Sequence, residues 1–121
     1  MKNIIQSQLE IVIISEIKKN MQKTINNYFT EVELDAFGNK HLQTLAGFYA
    51  VKKALKNLIN QKYPDCNISE KEIILTHNSE GVPYINEIIS FNNEEMQKFF
   101  ISISHTSENA YGFAAITDLM E

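Results

Sequence analysis

At 121 residues the chain is about one average domain, long enough to bury a single core. Hydrophobic content of 44% against 21% charged residues is that of a globular protein, and no apolar run approaches the ~18 residues of a membrane span. The net charge of −4 excludes a broad nucleic-acid surface. All eleven basic residues are lysines, so a bound phosphate must be held by ammonium groups, backbone N–H groups, hydroxyls or a metal rather than by guanidinium forks.

In chain order, the opening segment MKNIIQSQLEIVIISEI has one lysine and an apolar run of four, unlike a secretory signal, and a cytoplasmic protein is expected. LEIVII, residues 9–14, is β-branched and compact, which predicts a buried strand with Glu10 as its odd polar member. In FTEVELDAFG, Thr30 and Glu33 have capping-box spacing, Phe29 and Leu34 can form a hydrophobic staple, and Gly38 suits a helix stop. A long helix follows from Asn39 as N-cap through Lys62. On it Leu45, Phe48, Val51, Leu55, Leu58 and Ile59 form an apolar arc, with Ala46, Gly47, Ala50 and Ala54 as an adjacent seam of small residues. Lys52, Lys53 and Lys56 are assigned to a remaining, solvated arc near Tyr49.

Past YPDCNIS, the runs EIILTH and VPYINEI flank NSEG as in a hairpin. A short helix around NNEEMQ then leads to KFFISISH and AYGFAAIT, two further strands joined by TSEN. The order predicts one α+β domain over residues 1–121, an antiparallel sheet packed against a long helix. Cys66 is the only cysteine and reads as a packing or surface thiol.

Chemistry concentrates in a few places. Ser104-His105-Thr106 closes a strand, where an imidazole and hydroxyls can meet a phosphate and move a proton. Glu10 carries a desolvation penalty unless it is paired, protonated or bound to a cation. Lys52, Lys53 and Lys56 can meet phosphate, and Gly81 with Pro83 marks a tight connection. His41 reads as a surface residue, and neither it nor His77 has metal-ligand spacing.

Taken in order, these segments resemble the small holo-acyl-carrier-protein synthases. LEIVII resembles the family's GxDIVEI, Phe29-Thr30 with Glu33 its FT..E, and LAGFYAVKKALKNL its LAGRFAAKEAxxKAL. SEGVPYI is similar to its GKPxI, and ISISHTSENAYGFAAI to its SISHTxxxAxAxV.

The resemblance implies a 4′-phosphopantetheinyl transferase of the short, homotrimeric type with a matching fold. Coenzyme A would bind between subunits, and a serine of an acyl or peptidyl carrier protein of fatty acid or polyketide biosynthesis would attack its β-phosphate. It implies Ser104, His105 and Thr106 against the phosphates, with Gly81, Pro83, Lys52 and Lys56 also on the substrate. It implies Glu10, Lys53 and His105 at the reacting centre, and a Mg2+ ion for which Glu10 is the one ligand retained. No nucleic acid or membrane is implied. An acidic carrier would dock on lysines such as Lys18, Lys19 and Lys23.

The chain departs from the family at Gln8 (for glycine), Glu10 (for aspartate), Phe48 (for arginine) and Val82 (for lysine). Lys53 stands where the second metal-binding glutamate belongs, and an ammonium cannot ligate magnesium. The alternative reading is therefore a non-catalytic homologue that binds a carrier protein or coenzyme A.

Overall fold

A computed structural model describes residues 2–37 and 42–119. Five strands and five helices follow as β1 (Lys2–Ile13), α1 (Ile14–Lys19), α2 (Met21–Tyr28), α3 (Glu31–Phe37), α4 (Leu42–Lys62), β2 (Ile73–His77), β3 (Pro83–Ile88), α5 (Asn93–Met96), β4 (Phe99–His105) and β5 (Asn109–Leu119). The strands make two antiparallel sheets, one ordered β1-β5-β4 and one the β2-β3 hairpin. The α+β architecture expected from the sequence is what folds.

Local chemistry accounts for most of these boundaries. The capping box before α3 forms as expected: the Thr30 N–H donates to Glu33 Oε1 at 2.9 Å, and the Glu33 N–H donates back to Thr30 Oγ1 at 3.3 Å. In the NSEG connection Asn78 Oδ1 accepts from the N–H groups of Glu80 and Val82, and Gly81 turns the chain at φ +84°. Asn92 caps α5 by accepting from the Glu95 N–H at 2.8 Å. Gly38, Asn39 and His41, expected to stop one helix and open the next, lie outside the described residues.

Two expectations need correction. The first strand is twice as long as its apolar run, because its backbone pairs with β5 from Lys2 to Ile13. Ile14, expected in the strand, instead opens α1, its N–H donating to Glu108 O at 2.9 Å. The helices α1 and α2 had no counterpart in the sequence reading.

α4 supplies the core. Its apolar arc and its small-residue seam are both buried. It crosses the larger sheet diagonally, Gly47 lying over Ile103 of β4 and Ala50–Val51 over Gly112 of β5. A Cβ at Gly112 would sit 2.3 Å from the backbone of Ala50 and Val51, whereas one at Gly47 would meet only the Ile103 side chain, at 2.6 Å. Gly112→Ala is therefore expected to destabilise the fold by about 3 kcal/mol or more and Gly47→Ala by less than about 1.5 kcal/mol, measured by urea unfolding.

Candidate active site

The side chain at the centre of the molecule is Lys52. Its ammonium donates to Glu33 Oε1 at 2.5 Å and to the Tyr28 carbonyl at 2.6 Å, and lies 4.7 Å from the centroid of the Phe29 ring. The ammonium is thus met by a carboxylate, a carbonyl and an aromatic face. Both members of the pair are 0% exposed. Glu33 is equally committed, with Oε1 also accepting from Thr30 and Oε2 from the Leu75 N–H at 3.0 Å. Burial pulls the Lys52 ammonium below the ordinary lysine value, and the Glu33 carboxylate opposes that pull.

This corrects the reading of Lys52 as part of a solvated lysine face and as a substrate ligand. At 100° per residue it falls between Ile59 and Leu45, on the apolar arc itself. Its charge is spent inside the protein.

Lys53 remains on the flank of α4 that faces β1. Lys56 pairs with Glu70 at 3.3 Å. Lys53 lies 5.5 Å from the Tyr49 ring centroid, and Tyr49 stacks on Tyr28 with centroids 4.8 Å apart. The Tyr49 phenol is held well above its usual value, chiefly by burial, then by its hydrogen bond with Tyr28 and by the charges of Glu70 and Glu10. It stays protonated at any physiological pH.

Glu10 points from β1 toward the same flank. Its Oε2 accepts from Gln8 Nε2 at 2.8 Å and from Asn57 Nδ2 at 3.1 Å, which answers the desolvation question its sequence position raised. Lys53 also borders a cleft of about 370 Å³ between β1, α1, α2 and α4, shared with Glu16, Lys23 and Tyr49.

Ser104, His105 and Thr106 come together at the end of β4. Thr106 is partly structural: its Oγ1 accepts from the N–H groups of Glu108 and Asn109 and closes the turn into β5. Pro83 borders a second cleft, of about 490 Å³, between β3, α5 and β4, with Val82 and Ile101.

The predicted residues therefore lie apart: Lys56 is at Glu70, Pro83 is in a cleft at the Phe99–Ile101 end of β4, Glu10 and Lys53 are beside β1, and His105 is at the far end of β4. β1 and β4 are the two outer strands of a three-stranded sheet, roughly 10 Å apart with α4 across the middle. His77, without metal-ligand partners, has its ring nitrogens 3.1 Å from the carbonyl oxygens of Asn78 and Ala36, where it ties the hairpin to α3.

Sequence reasoning missed Asn57, Tyr28 and Glu70, and placed Lys23 on a carrier-docking surface rather than beside the Lys53 cleft. Asn57 was within reach, one turn beyond Lys53 on the same helix face. The others arrive by tertiary contact and leave no local signal.

No family model matches the chain. Curated relatives do. A holo-acyl-carrier-protein synthase of Thermodesulfovibrio yellowstonii is 36% identical over 117 residues, covering 90% of this chain and 95% of the relative. One of Clostridium botulinum is 28% identical over 115 residues, 88% of this chain and 92% of its own. Among solved structures, a holo-(acyl-carrier-protein) synthase of Bacillus anthracis in complex with CoA (3′,5′-ADP) superposes with a TM-score of 0.74 at 22% identity, over 96% of this chain and 98% of that one. The Helicobacter pylori enzyme in complex with coenzyme A gives 0.69 at 20% identity, over 93% and 100%. These structural likenesses establish the fold.

Because Lys52 is spent internally, Lys52→Met strands a buried carboxylate. It is expected to cost about 3–5 kcal/mol in denaturant unfolding, a far larger loss than any partly exposed lysine of α4 would give.

Proposed function

The chain belongs to the holo-acyl-carrier-protein synthase family, and we infer that it transfers 4′-phosphopantetheine from coenzyme A to a serine of an acyl or peptidyl carrier protein, releasing 3′,5′-adenosine bisphosphate. The observation that carries this reading is a relative more than one-third identical across nine-tenths of the chain. The serine Oγ forms a bond to the β-phosphorus while the bond from that phosphorus to the bridging oxygen breaks, and the departing adenosine bisphosphate keeps the electron pair. His105, exposed at its strand end, serves as a phosphate hydrogen-bond donor or as the acceptor of the serine proton. Ser104 and the O–H of Thr106 lie beside it.

A resident magnesium ion does not fit this residue set. Glu10 is held by two amide donors, Lys53 occupies the place of the second carboxylate, and no three acidic, histidine or cysteine side chains converge on a metal position among the described residues. The reaction is therefore written without one.

The separation of Glu10 and Lys53 from His105 supports a site completed by another copy of the chain. The sheet face turned away from α4 supports it too: Leu9, Ile11, Ile13 and Phe100 are 47–55% exposed there, beside Phe113. An apolar surface of that kind is what a homotrimer would cover. Lys18 and Lys19 are exposed on α1, where an acidic carrier can dock. No helix among the described residues is long and apolar enough to cross a membrane, and Cys66 is an exposed free thiol, compatible with work in the cytoplasm.

Mass spectrometry of apo carrier proteins incubated with the protein and coenzyme A is expected to show the phosphopantetheine adduct, and His105→Ala to slow its formation by about 10²-fold. An unmodified carrier alongside retained coenzyme A binding would identify a binding protein instead. Leu9→Glu is expected to turn a sedimenting trimer into monomers and abolish transfer with it; a monomeric active wild type would refute the shared site.

A further inference from the structure

Two of the three lysines clustered on α4 are already neutralised, Lys52 by Glu33 and Lys56 by Glu70. Lys53 has no ion-pair partner among the described residues, and it faces a cleft. Across that cleft stands Lys23 of α2, also without an ion-pair partner among the described residues. Asn20 and Asn27 line the same wall and can supply amide donors, and the single carboxylate there belongs to Glu16. The cleft thus presents two ammonium groups against one carboxylate on a chain whose net charge is −4.

We propose that Lys53 and Lys23 form a metal-free subsite for the pyrophosphate diester of coenzyme A, so that binding and transfer proceed without a divalent cation. The proposal rests on the transferase reading of the site. A pyrophosphate diester carries one negative charge on each phosphate, and two point-charge ammonium groups match it without the fixed coordination that magnesium requires. The Tyr49 ring lies 5.5 Å from the Lys53 ammonium, an attractive contact that adds no ion-pair partner, and the phenol, being protonated, brings no competing negative charge. Glu10 forms no ion pair with Lys53 among the described residues; its Oε2 accepts instead from the amides of Gln8 and Asn57. In group transfer the same ammonium groups face the charge that passes to the departing phosphate, which is the work a metal would do.

The test is calorimetric titration of the intact protein with coenzyme A, in excess EDTA and again with magnesium. The wild type is expected to bind within about threefold equally in both. Lys53→Gln and Lys23→Gln are expected to lose about tenfold or more in EDTA, and Lys53→Glu to bind only when magnesium is restored. Lys53 is partly exposed and Lys23 exposed, so unfolding midpoints close to wild type will certify that each variant is folded. Wild-type binding that needs magnesium, or glutamine variants that bind normally in EDTA, would overturn the proposal and leave the transferase reading standing. A folded wild type silent to coenzyme A in both buffers would remove both.

Discussion

The contact on which the rest of the molecule depends is the buried pair between Glu33 and Lys52. Glu33 reaches the Thr30 cap, the backbone of β2 at Leu75 and the ammonium of α4, while Lys52 also holds the last carbonyl of α2 at Tyr28. Two charges inside a core are costly, and a hydrophobic pair of equal volume would often be more stable. What the ionic version adds is registration. A lysine held by a carboxylate on α3 and a carbonyl on α2 favours one rotation of α4 about its axis. With Lys52 turned inward, Lys53 lies 100° around the helix and must face the β1 flank. The residue proposed to meet the substrate is thus positioned by its neighbour in sequence.

Rotation alone would not bring that flank close to the sheet. Gly112 does so by letting the backbone of Ala50 and Val51 approach β5 closer than any side chain would allow. α4 then lies diagonally, so that Asn57 near its C-terminal end meets Glu10 while Gly47 near its start meets Ile103. The two sheet edges stay apart because β5 lies between them, and the proposed second copy would cover the apolar face on the other side of the same sheet.

Much of this was legible in the sequence because it is local. The capping box at Thr30 and Glu33, the turn at Asn78–Pro83 and the apolar arc of α4 each follow from chemistry spanning a few residues. The failures are instructive in the same terms. Lys52 was placed on the solvated face by residue type, although its helical angle already put it on the apolar arc; type overrode geometry. Its partner lies 19 residues away on another helix, and no periodicity encodes such a pairing. Helices α1 and α2 are short and begin without side-chain caps, so the usual start signals are missing. For the candidate site, the ordered motifs named the residues, whereas the placing of Glu10 on one outer strand and His105 on the other became visible only with strand order.

Two of the departures from the family pattern make one electrostatic change. A carboxylate at Glu10 beside an uncompensated ammonium at Lys53 would be expected to collapse into an ion pair, leaving the cleft neutral and indifferent to phosphate. Gln8 prevents this: standing where the family has glycine, it brings an amide that donates to Glu10 at 2.8 Å, and Asn57 brings a second. These neutral donors, both on Oε2, stabilise the carboxylate without cancelling the charge of Lys53. A glycine at position 8 would return Glu10 to the search for a cation, whether lysine or metal. The amide and the lysine therefore make sense together under the proposed metal-free phosphate site, in which one keeps the carboxylate occupied and the other keeps its charge for the substrate.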